Sequence, residues 1–219
     1  MAYWILKFIL GPVVRMIWIK KVEGLENIPE KGGCIIAANH SSYFDFFCLV
    51  AVVPRRIYFL AAEKFYKSKF WWPFVKLTGQ IKVERESHNK EEIYKKVYSI
   101  LEKGGVIGIF PEGTRSSDGK IGKTYTGVAK FALRAKVPVV PVGISGTYEI
   151  MSRYDKKPKF KKIIEIIIGK PIDFKEYYNK ECDEKLFREA TNKIMVKIAE
   201  LAEKKYNYIN YNEQKGLIG

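Results

Sequence analysis

A histidine and an aspartate stand five positions apart at residues 39–45, which read NHSSYFD. A carboxylate bonded to one imidazole nitrogen fixes the tautomer and stabilises the imidazolium that forms on proton uptake. The other nitrogen can then take a proton from a substrate hydroxyl, which attacks without any protein nucleophile. We therefore predict His40 as a general base and Asp45 as its orienting partner, although this spacing alone is weak because a histidine at a strand end is more often structural.

A second polar block occupies residues 110–116, which read FPEGTRS. Gly113 lets the backbone approach a ligand closely, and Glu112 can accept a hydrogen bond from a hydroxyl. Arg115 can hold a phosphate through two parallel N–H bonds. These residue types predict a site for a phosphorylated substrate, and the alternative is a tight turn with a solvated glutamate and arginine.

Two further blocks could contribute to the same site, but each has an equally simple structural explanation. Residues 79–85 (GQIKVER) end in Arg85, which can be a second phosphate ligand or form a surface salt bridge. Residues 137–146 (VPVVPVGISG) are strongly apolar and suit either a wall of the site or structural packing.

Apolar strands must position these blocks. A short apolar run at residues 34–38 predicts a buried strand directly before the first polar block. A second run, at residues 106–110, predicts a buried strand that ends at the first residue of the second polar block. Because ligands of open α/β sheets bind outside the carboxyl ends of the strands, we expect His40 and Glu112 at the same sheet edge.

The remaining pattern alternates strands with helices. Further strands are predicted at residues 57–61, 81–83, 137–145 and 163–168, and helices at residues 42–53, 89–103, 126–136 and 183–206, with a helical patch within residues 64–78. The two prolines within residues 137–145 suit an edge or irregular strand. Since several strands are uniformly apolar, we predict an α/β fold with a mixed, largely parallel sheet flanked by helices. We expect residues 23–219 to form a single domain, because no repeat or linker divides them.

We predict that residues 1–22 form a membrane-associating helical segment. Residues 3–19 are apolar but contain Lys7 and Arg15, and they are too short and too charged for an ordinary spanning helix. The flanks also differ from those of a signal peptide. A helix lying in the interface fits better, and a buried helix of the core or a span stays open.

The flanking side chains favour the interface. Tyr3, Trp4 and Trp18 are expected at headgroup depth, with Lys20 and Lys21 on lipid phosphates. The aromatic patch at residues 70–72 is a second candidate for membrane contact.

The chain carries 39 Lys and Arg against 24 Asp and Glu, a net charge of +15. This excess predicts a polyanionic partner, either nucleic acid, an anionic membrane or a phosphorylated substrate, unless the lysines simply solvate the surface. We expect no nucleic-acid partner, because no RNA-recognition, helix-turn-helix or zinc-finger signature is present. The scattered Cys34, Cys48 and Cys182 predict neither a disulfide framework nor a metal site.

Taken together, the four blocks resemble the glycerolipid acyltransferase family, specifically the bacterial 1-acyl-glycerol-3-phosphate acyltransferases. The order NHSSYFD, GQIKVER, FPEGTRS and VPVVPVGISG matches, and the resemblance runs from about residue 24 to residue 171. The combination of the first and third blocks is highly specific.

The resemblance implies that His40 and Asp45 form the catalytic pair. It implies that the phosphorylated acceptor is bound by Arg85, Glu112, Gly113, Thr114 and Arg115. The resemblance also links Pro141 to the structure of the site and to the handling of the acyl donor. The co-substrate would be acyl-CoA or acyl-carrier protein, without a cofactor or metal. The acceptor would be a lysophospholipid acylated at its sn-2 hydroxyl, and the product phosphatidic acid for phospholipid biosynthesis at the cytoplasmic face of the cell membrane.

One departure concerns a phosphate-binding lysine. Family members often carry it at the position of Ala62, and here Lys64 lies two residues further on and is the substitute we expect. The acceptor could therefore be glycerol-3-phosphate or another lysolipid. A thioesterase-type hydrolase, in which water replaces the hydroxyl, is a further alternative.

Overall fold

The computed structural model describes residues 2–69, 72–83 and 90–208. Within these residues, one seven-stranded sheet has the strand order β1-β7-β6-β2-β5-β3-β4. The strands are β1 (Ile19–Glu23), β2 (Cys34–Ala38), β3 (Ile57–Ala62), β4 (Ile81–Val83), β5 (Val106–Ile109), β6 (Val139–Ser145) and β7 (Ile164–Ile168). All neighbouring pairs are parallel except β6 and β7, which are antiparallel.

Helices cover both faces of this sheet. They are α1 (Ala2–Ile17), α2 (Phe44–Val52), α3 (Glu63–Lys67), α4 (Trp72–Thr78), α5 (Lys90–Glu102), α6 (Gly127–Ala135), α7 (Thr147–Ile150) and α8 (Glu184–Leu201). Successive side chains of β2 point to opposite faces. Ile36 packs in the core with α1 and α2, whereas Ile35 packs in the core with α5, α6 and α8. The predicted mixed, largely parallel α/β fold is confirmed, and burial on both faces explains the uniformly apolar strands.

The proline-rich strand lies inside the sheet, so of the two predicted alternatives, an edge strand or an irregular strand, the edge strand is wrong. β6 lies between β7 and β2, and Pro141 pairs in register with Ala37. The Pro141 carbonyl accepts a hydrogen bond from the Gly169 N–H, 2.8 Å away, at the end of the β6–β7 pairing. The ladder tolerates this proline because β6 still bonds β2 along one side and meets an irregular segment on the other.

The helical patch predicted within residues 64–78 forms as two helices, α3 and α4. Residues 70 and 71 of the predicted aromatic patch lie outside the described residues, whereas Trp72 is exposed. The helix predicted at residues 183–206 ends early, at Leu201, and Glu203 adopts a positive φ of 53°. The chain turns there, which brings Lys204 back toward the turn after β2.

The N-terminal segment is one continuous helix, α1, with Pro12 inside it. One face packs against α2, and Tyr3 and Trp18 are buried in the core. The expectation that these two rings lie at headgroup depth is therefore wrong, since their hydroxyl and N–H groups bond Ile57 and Lys159 of the protein. The opposite face of α1 exposes a row of large apolar side chains: Ile5, Phe8, Ile9, Val13 and Met16.

Two further observations bear on this segment. In the described part of the chain, no helix combines the length and the apolar character that a membrane crossing requires. The predicted division between residues 22 and 23 falls inside β1, which pairs with β7, and it stays a prediction.

Candidate active site

The turn between β2 and α2 carries the predicted catalytic pair. His40 Nδ1 lies 2.9 Å from Asp45 Oδ2. The same carboxylate oxygen accepts the backbone N–H groups of Ser41 and Ser42 at 2.7 and 2.8 Å. Asp45 is fully buried, at 0% exposure, and these two backbone bonds fix the position of its carboxylate. An acidic partner on Nδ1 holds the proton there and leaves Nε2 as the basic nitrogen of His40.

Asn39 ties the start of this turn to the middle of the sheet. Its amide nitrogen donates to the Ile144 carbonyl and its amide oxygen accepts from the Ile144 N–H, both at 2.8 Å. These paired bonds hold His40 at the carboxyl end of β2. The asparagine stood inside the NHSSYFD block, but sequence reasoning gave it no role because its partner lies 105 residues away.

Glu112 lies behind His40 and joins the two motif loops. Its Oε1 accepts the His40 backbone N–H at 2.7 Å, and its Oε2 accepts the Gly122 N–H at 2.9 Å. Glu112 is only 4% exposed. Burial raises its pKa to about 7, although the two backbone N–H bonds act in the opposite direction. Both carboxylate oxygens of Glu112 are thus used by backbone N–H groups, which supports a positioning role, and the substrate contact expected from the sequence stays a prediction.

Phe110 fixes the plane of the imidazole. Its ring stacks on the His40 ring with a centroid separation of 4.1 Å and an interplanar angle of 14°. Phe59 of β3 stacks on the other side of Phe110 at 5.8 Å. The histidine is therefore held by Asp45 in its plane and by this aromatic pair across it.

Arg115 lies beside the pair on the second motif loop. Its guanidinium covers the Tyr43 ring at 3.5 Å, which orients it through a cation–π contact. Its Nη1 is buried and has no hydrogen-bond partner among the described residues. The loop itself is bonded to the turn after β2, because the Ser116 N–H donates to the His40 carbonyl at 2.8 Å. An unused cationic donor next to a histidine suits an anionic ligand.

A cavity of about 440 Å³ opens in front of His40, and we refer to it as the histidine cavity. Lys64, Gly113, Thr114 and Arg115 also line it, so five predicted site residues meet here. Gly113 has a φ of 64°, and a Cβ atom there would lie 2.9 Å from the Tyr125 ring.

A narrower aromatic pocket of about 100 Å³ adjoins the histidine cavity at His40. Its walls are almost entirely apolar, with Phe46, Phe59, Phe65 and Phe110 among them. Such a pocket suits a small apolar group.

The structure describes one of the two further phosphate ligands predicted from the sequence, Lys64, but not the other, Arg85. Ala62 and Lys64 both line the histidine cavity, so the lysine two residues on reaches the same space. Arg85 lies outside the described residues, whereas Val83 at the end of β4 lines this cavity.

Lys204 is a site residue that sequence reasoning missed. Its ammonium donates to the Gly119 carbonyl at 2.7 Å and to Ser41 Oγ at 3.2 Å. It sits past the end of α8, and a lysine in a lysine-rich segment gives no signal of this contact.

Three free cysteines are present, and Cys34 and Cys48 are buried. Within the described residues, no group of His, Cys, Asp or Glu could hold a metal ion.

The model of a family described as Acyltransferase matches residues 20–145. The chain belongs to this acyltransferase family, as the four sequence blocks predicted. It is 33% identical over 165 residues to the 1-acyl-sn-glycerol-3-phosphate acyltransferase of Bacillus subtilis, a match that covers 74% of this chain and 79% of that protein.

A plant relative agrees with this assignment, and a solved structure has the same fold. The chain is 30% identical over 175 residues to the chloroplastic 1-acyl-sn-glycerol-3-phosphate acyltransferase BAT2 of Brassica napus, which covers 79% of this chain but only 49% of that protein. The chain thus spans about half the length of this relative. The crystal structure of the 1-acyl-sn-glycerophosphate (LPA) acyltransferase PlsC from Thermotoga maritima superimposes with a TM-score of 0.68 at 24% identity, covering 94% of this chain and 81% of that one. It has the same fold.

Proposed function

We propose that this protein transfers a fatty acyl group from an acyl thioester to the sn-2 hydroxyl of 1-acyl-glycerol-3-phosphate, giving phosphatidic acid for phospholipid biosynthesis. The observation that carries the proposal is the 2.9 Å contact between His40 Nδ1 and Asp45 Oδ2 at the wall of a cavity that also holds Arg115. The names of the Bacillus and Brassica relatives support the same reaction.

The reaction begins with proton transfer to His40. Nε2 takes the proton of the acceptor hydroxyl while its oxygen attacks the thioester carbonyl carbon. The buried Asp45 carboxylate stabilises the imidazolium that results. When the tetrahedral intermediate collapses, the carbon–sulfur bond breaks and the imidazolium returns its proton to the thiolate. No covalent acyl-enzyme is formed, since the hydroxyl attacks directly.

The acceptor phosphate is bound by cationic groups of the histidine cavity. The buried Nη1 of Arg115 supplies a donor that no described residue uses. Lys64 and Thr114 line the same space, and Arg85 is proposed as a further ligand. A phosphate bound here places the free hydroxyl of the same glycerol within the space that His40 faces. The aromatic pocket then receives a few carbons of the acyl chain of one of the two substrates.

The exposed face of α1 binds the protein to the cytoplasmic face of the cell membrane. Its side chains recur at helical spacing on one face, and Phe8 is 70% exposed. The basic segment at residues 156–162 (KKPKFKK) lies beside the end of α1, because Phe160 stacks on Trp18 at 5.5 Å. Phe160 is 76% exposed, and each lysine near an anionic surface contributes roughly 1 kcal/mol. Residues 1–22 thus act as a membrane-associating segment, and residues 23–219 form the catalytic domain that it holds at the membrane.

The test is an assay of purified protein in detergent with palmitoyl-CoA and 1-acyl-glycerol-3-phosphate. We expect acceptor-dependent thiol release and phosphatidic acid, both lost in His40→Ala with an unchanged circular dichroism spectrum. Thiol release without acceptor would identify a thioesterase instead. A higher kcat/KM for glycerol-3-phosphate or another lysolipid would replace the acceptor proposed here.

A further inference from the structure

A second cavity lies on the other side of the FPEGTRS loop and has no assigned ligand. It encloses about 940 Å³, and we refer to it as the basic cavity. Seven of the described residues that line it carry cationic side chains and two carry carboxylates. Lys123, Arg188 and Lys205 line this cavity and do not line the histidine cavity.

The two carboxylates of the basic cavity are already satisfied within the protein. Glu112 is buried and accepts the N–H groups of His40 and Gly122. Asp118 accepts from Ser116 Oγ and from the Lys120 N–H, each at 3.1 Å, and pairs with the Lys120 ammonium at 3.8 Å. These groups neutralise little of the remaining positive charge.

Several cations are left to face the cavity. No ion pair joins Lys123 or Lys205 to a carboxylate of the described chain. Arg188 is held in place by bonds from Nη1 to the Thr124 carbonyl at 2.9 Å and to Thr124 Oγ1 at 3.3 Å, and by a hydrogen bond to Tyr206. Cations concentrated in a concave site favour a ligand with several negative charges.

The basic cavity and the histidine cavity share one wall. Thr114, Arg115, Tyr125 and Arg153 line both of them. A molecule whose charged end occupies the basic cavity can therefore pass over Thr114 and Arg115 and present its other end to His40. This path suits a long substrate with a reactive group at one end and anionic groups at the other.

The chemistry of the two substrates decides between them. The acceptor has a single phosphate, which Arg115, Lys64 and Thr114 can bind on the side of His40. A coenzyme A thioester carries three phosphates on its nucleotide and a reactive thioester at the far end of a flexible arm. The rings of Tyr125 and Tyr208, which also line the basic cavity, provide faces on which a purine base can stack. The concave shape and the volume suit a small ligand better than the surface of a carrier protein.

We propose that the basic cavity binds the phosphorylated nucleotide of a coenzyme A thioester, and that this thioester is the acyl donor. The proposal rests on the function proposed above, since it names the donor of that reaction. It assigns Lys123, Arg188 and Lys205 to donor binding.

The test compares two donors in the variant Lys123→Glu/Lys205→Glu. Palmitoyl-CoA and palmitoyl-pantetheine carry the same thioester, but only the first has the nucleotide and all three of its phosphates. We expect the KM for palmitoyl-CoA to rise about tenfold or more, because two attractive charges become repulsive. The KM for the acceptor and the turnover with palmitoyl-pantetheine should stay within about twofold of wild type. The variant Lys103→Glu/Lys170→Glu makes the same change of charge at exposed positions outside the cavity and should leave all these values unchanged.

A binding measurement separates this proposal from the proposed reaction. Adenosine 3′,5′-bisphosphate titrated calorimetrically should bind the wild type and the Lys103→Glu/Lys170→Glu control equally, and the cavity variant about tenfold more weakly. This readout needs no turnover, so it decides the matter even if the wild type transfers no acyl group. The proposal is wrong if the bisphosphate does not bind at millimolar concentration, if the cavity variant raises the acceptor KM instead, or if acyl-carrier protein alone serves as donor.

Discussion

The Glu112 carboxylate lies 2.7 Å from the backbone nitrogen of His40, so the FPEGTRS loop holds the backbone of the catalytic histidine. The Ser116 N–H closes the same junction from the other side by donating to the His40 carbonyl. Two motifs separated by about 70 residues thus form one rigid unit, and displacing either loop would move the base. This explains why the glutamate is buried beside the histidine and does not point into the histidine cavity.

Replacing Asp45 by Asn should lower kcat roughly 10³- to 10⁴-fold while the acceptor KM changes little. The amide can still accept the N–H groups of Ser41 and Ser42, but its NH₂ group cannot stabilise an imidazolium on His40. Steady-state kinetics with both substrates varied would measure this. Turnover near that of the wild type would remove Asp45 from the mechanism.

Glu112 should make the stability of the wild type depend on pH between about 5 and 7. Its pKa is raised to about 7 in the folded state, so the folded protein binds a proton more tightly than the unfolded chain. Stability is then greatest below the unfolded pKa and is lost as the pH rises through about 7, by roughly 3 kcal/mol at most.

The variant Glu112→Gln lacks this titration. Urea unfolding of both proteins at pH 5 and pH 8 should show the advantage of the wild type shrinking as the pH rises. A difference between the two proteins that is equal at both pH values would mean that Glu112 has an ordinary pKa. The amide also faces one of the two N–H donors with its own NH₂ group, so Glu112→Gln should reduce kcat by displacing His40.

Lys64→Ala should raise the KM for the phosphorylated acceptor about tenfold and leave the KM for the donor unchanged. The reason is that Lys64 lines the histidine cavity, where a charged hydrogen bond to phosphate would be lost. Lys67→Ala is the matched control on the same helix, because Lys67 is exposed and pairs with Glu63. Equal effects of the two variants would indicate that only the general positive charge of α3 matters.

Phe8→Ser should weaken binding to vesicles that contain anionic phospholipid by about tenfold or more, since a largely exposed phenyl ring would no longer enter the bilayer. Phe8→Leu should retain most of the binding, because it keeps an apolar side chain there. Co-sedimentation with vesicles measures both, and added salt should weaken the remaining charge-driven part. Unchanged binding of Phe8→Ser would exclude this face of α1 as the membrane contact.

The sequence predicted the sheet well because its strands are short apolar runs. Residues 34–38 and 81–83 form strands with the predicted bounds. The position of His40 and Asp45 followed from local spacing alone. What depended on distant partners was not predictable. Pro141 lies in the interior beside the segment that follows β7, where the Gly169 N–H bonds its carbonyl. Glu112 is buried because the N–H groups of Gly122 and His40 bond its carboxylate.

The aromatic side chains of the N-terminal segment show the same limit. Hydropathy alone made Tyr3 and Trp18 as suitable for a membrane surface as Phe8. Only the tertiary partners separate them, since Tyr3 bonds Ile57 and Trp18 bonds Lys159. A helix with two apolar faces gives one sequence signal, although one face belongs to the core and the other is exposed.

The pairing of β1 with β7 has a consequence for synthesis on the ribosome. Ile19 lies in register with Ile164, so the first strand cannot pair until β7 has been translated. At about 5–20 residues per second this delay lasts on the order of ten seconds. During that interval α1 has emerged while its strand is unpaired, and its apolar side chains are open to lipid or to chaperones. The segment that carries the membrane-facing row can therefore meet the bilayer before the catalytic domain is complete.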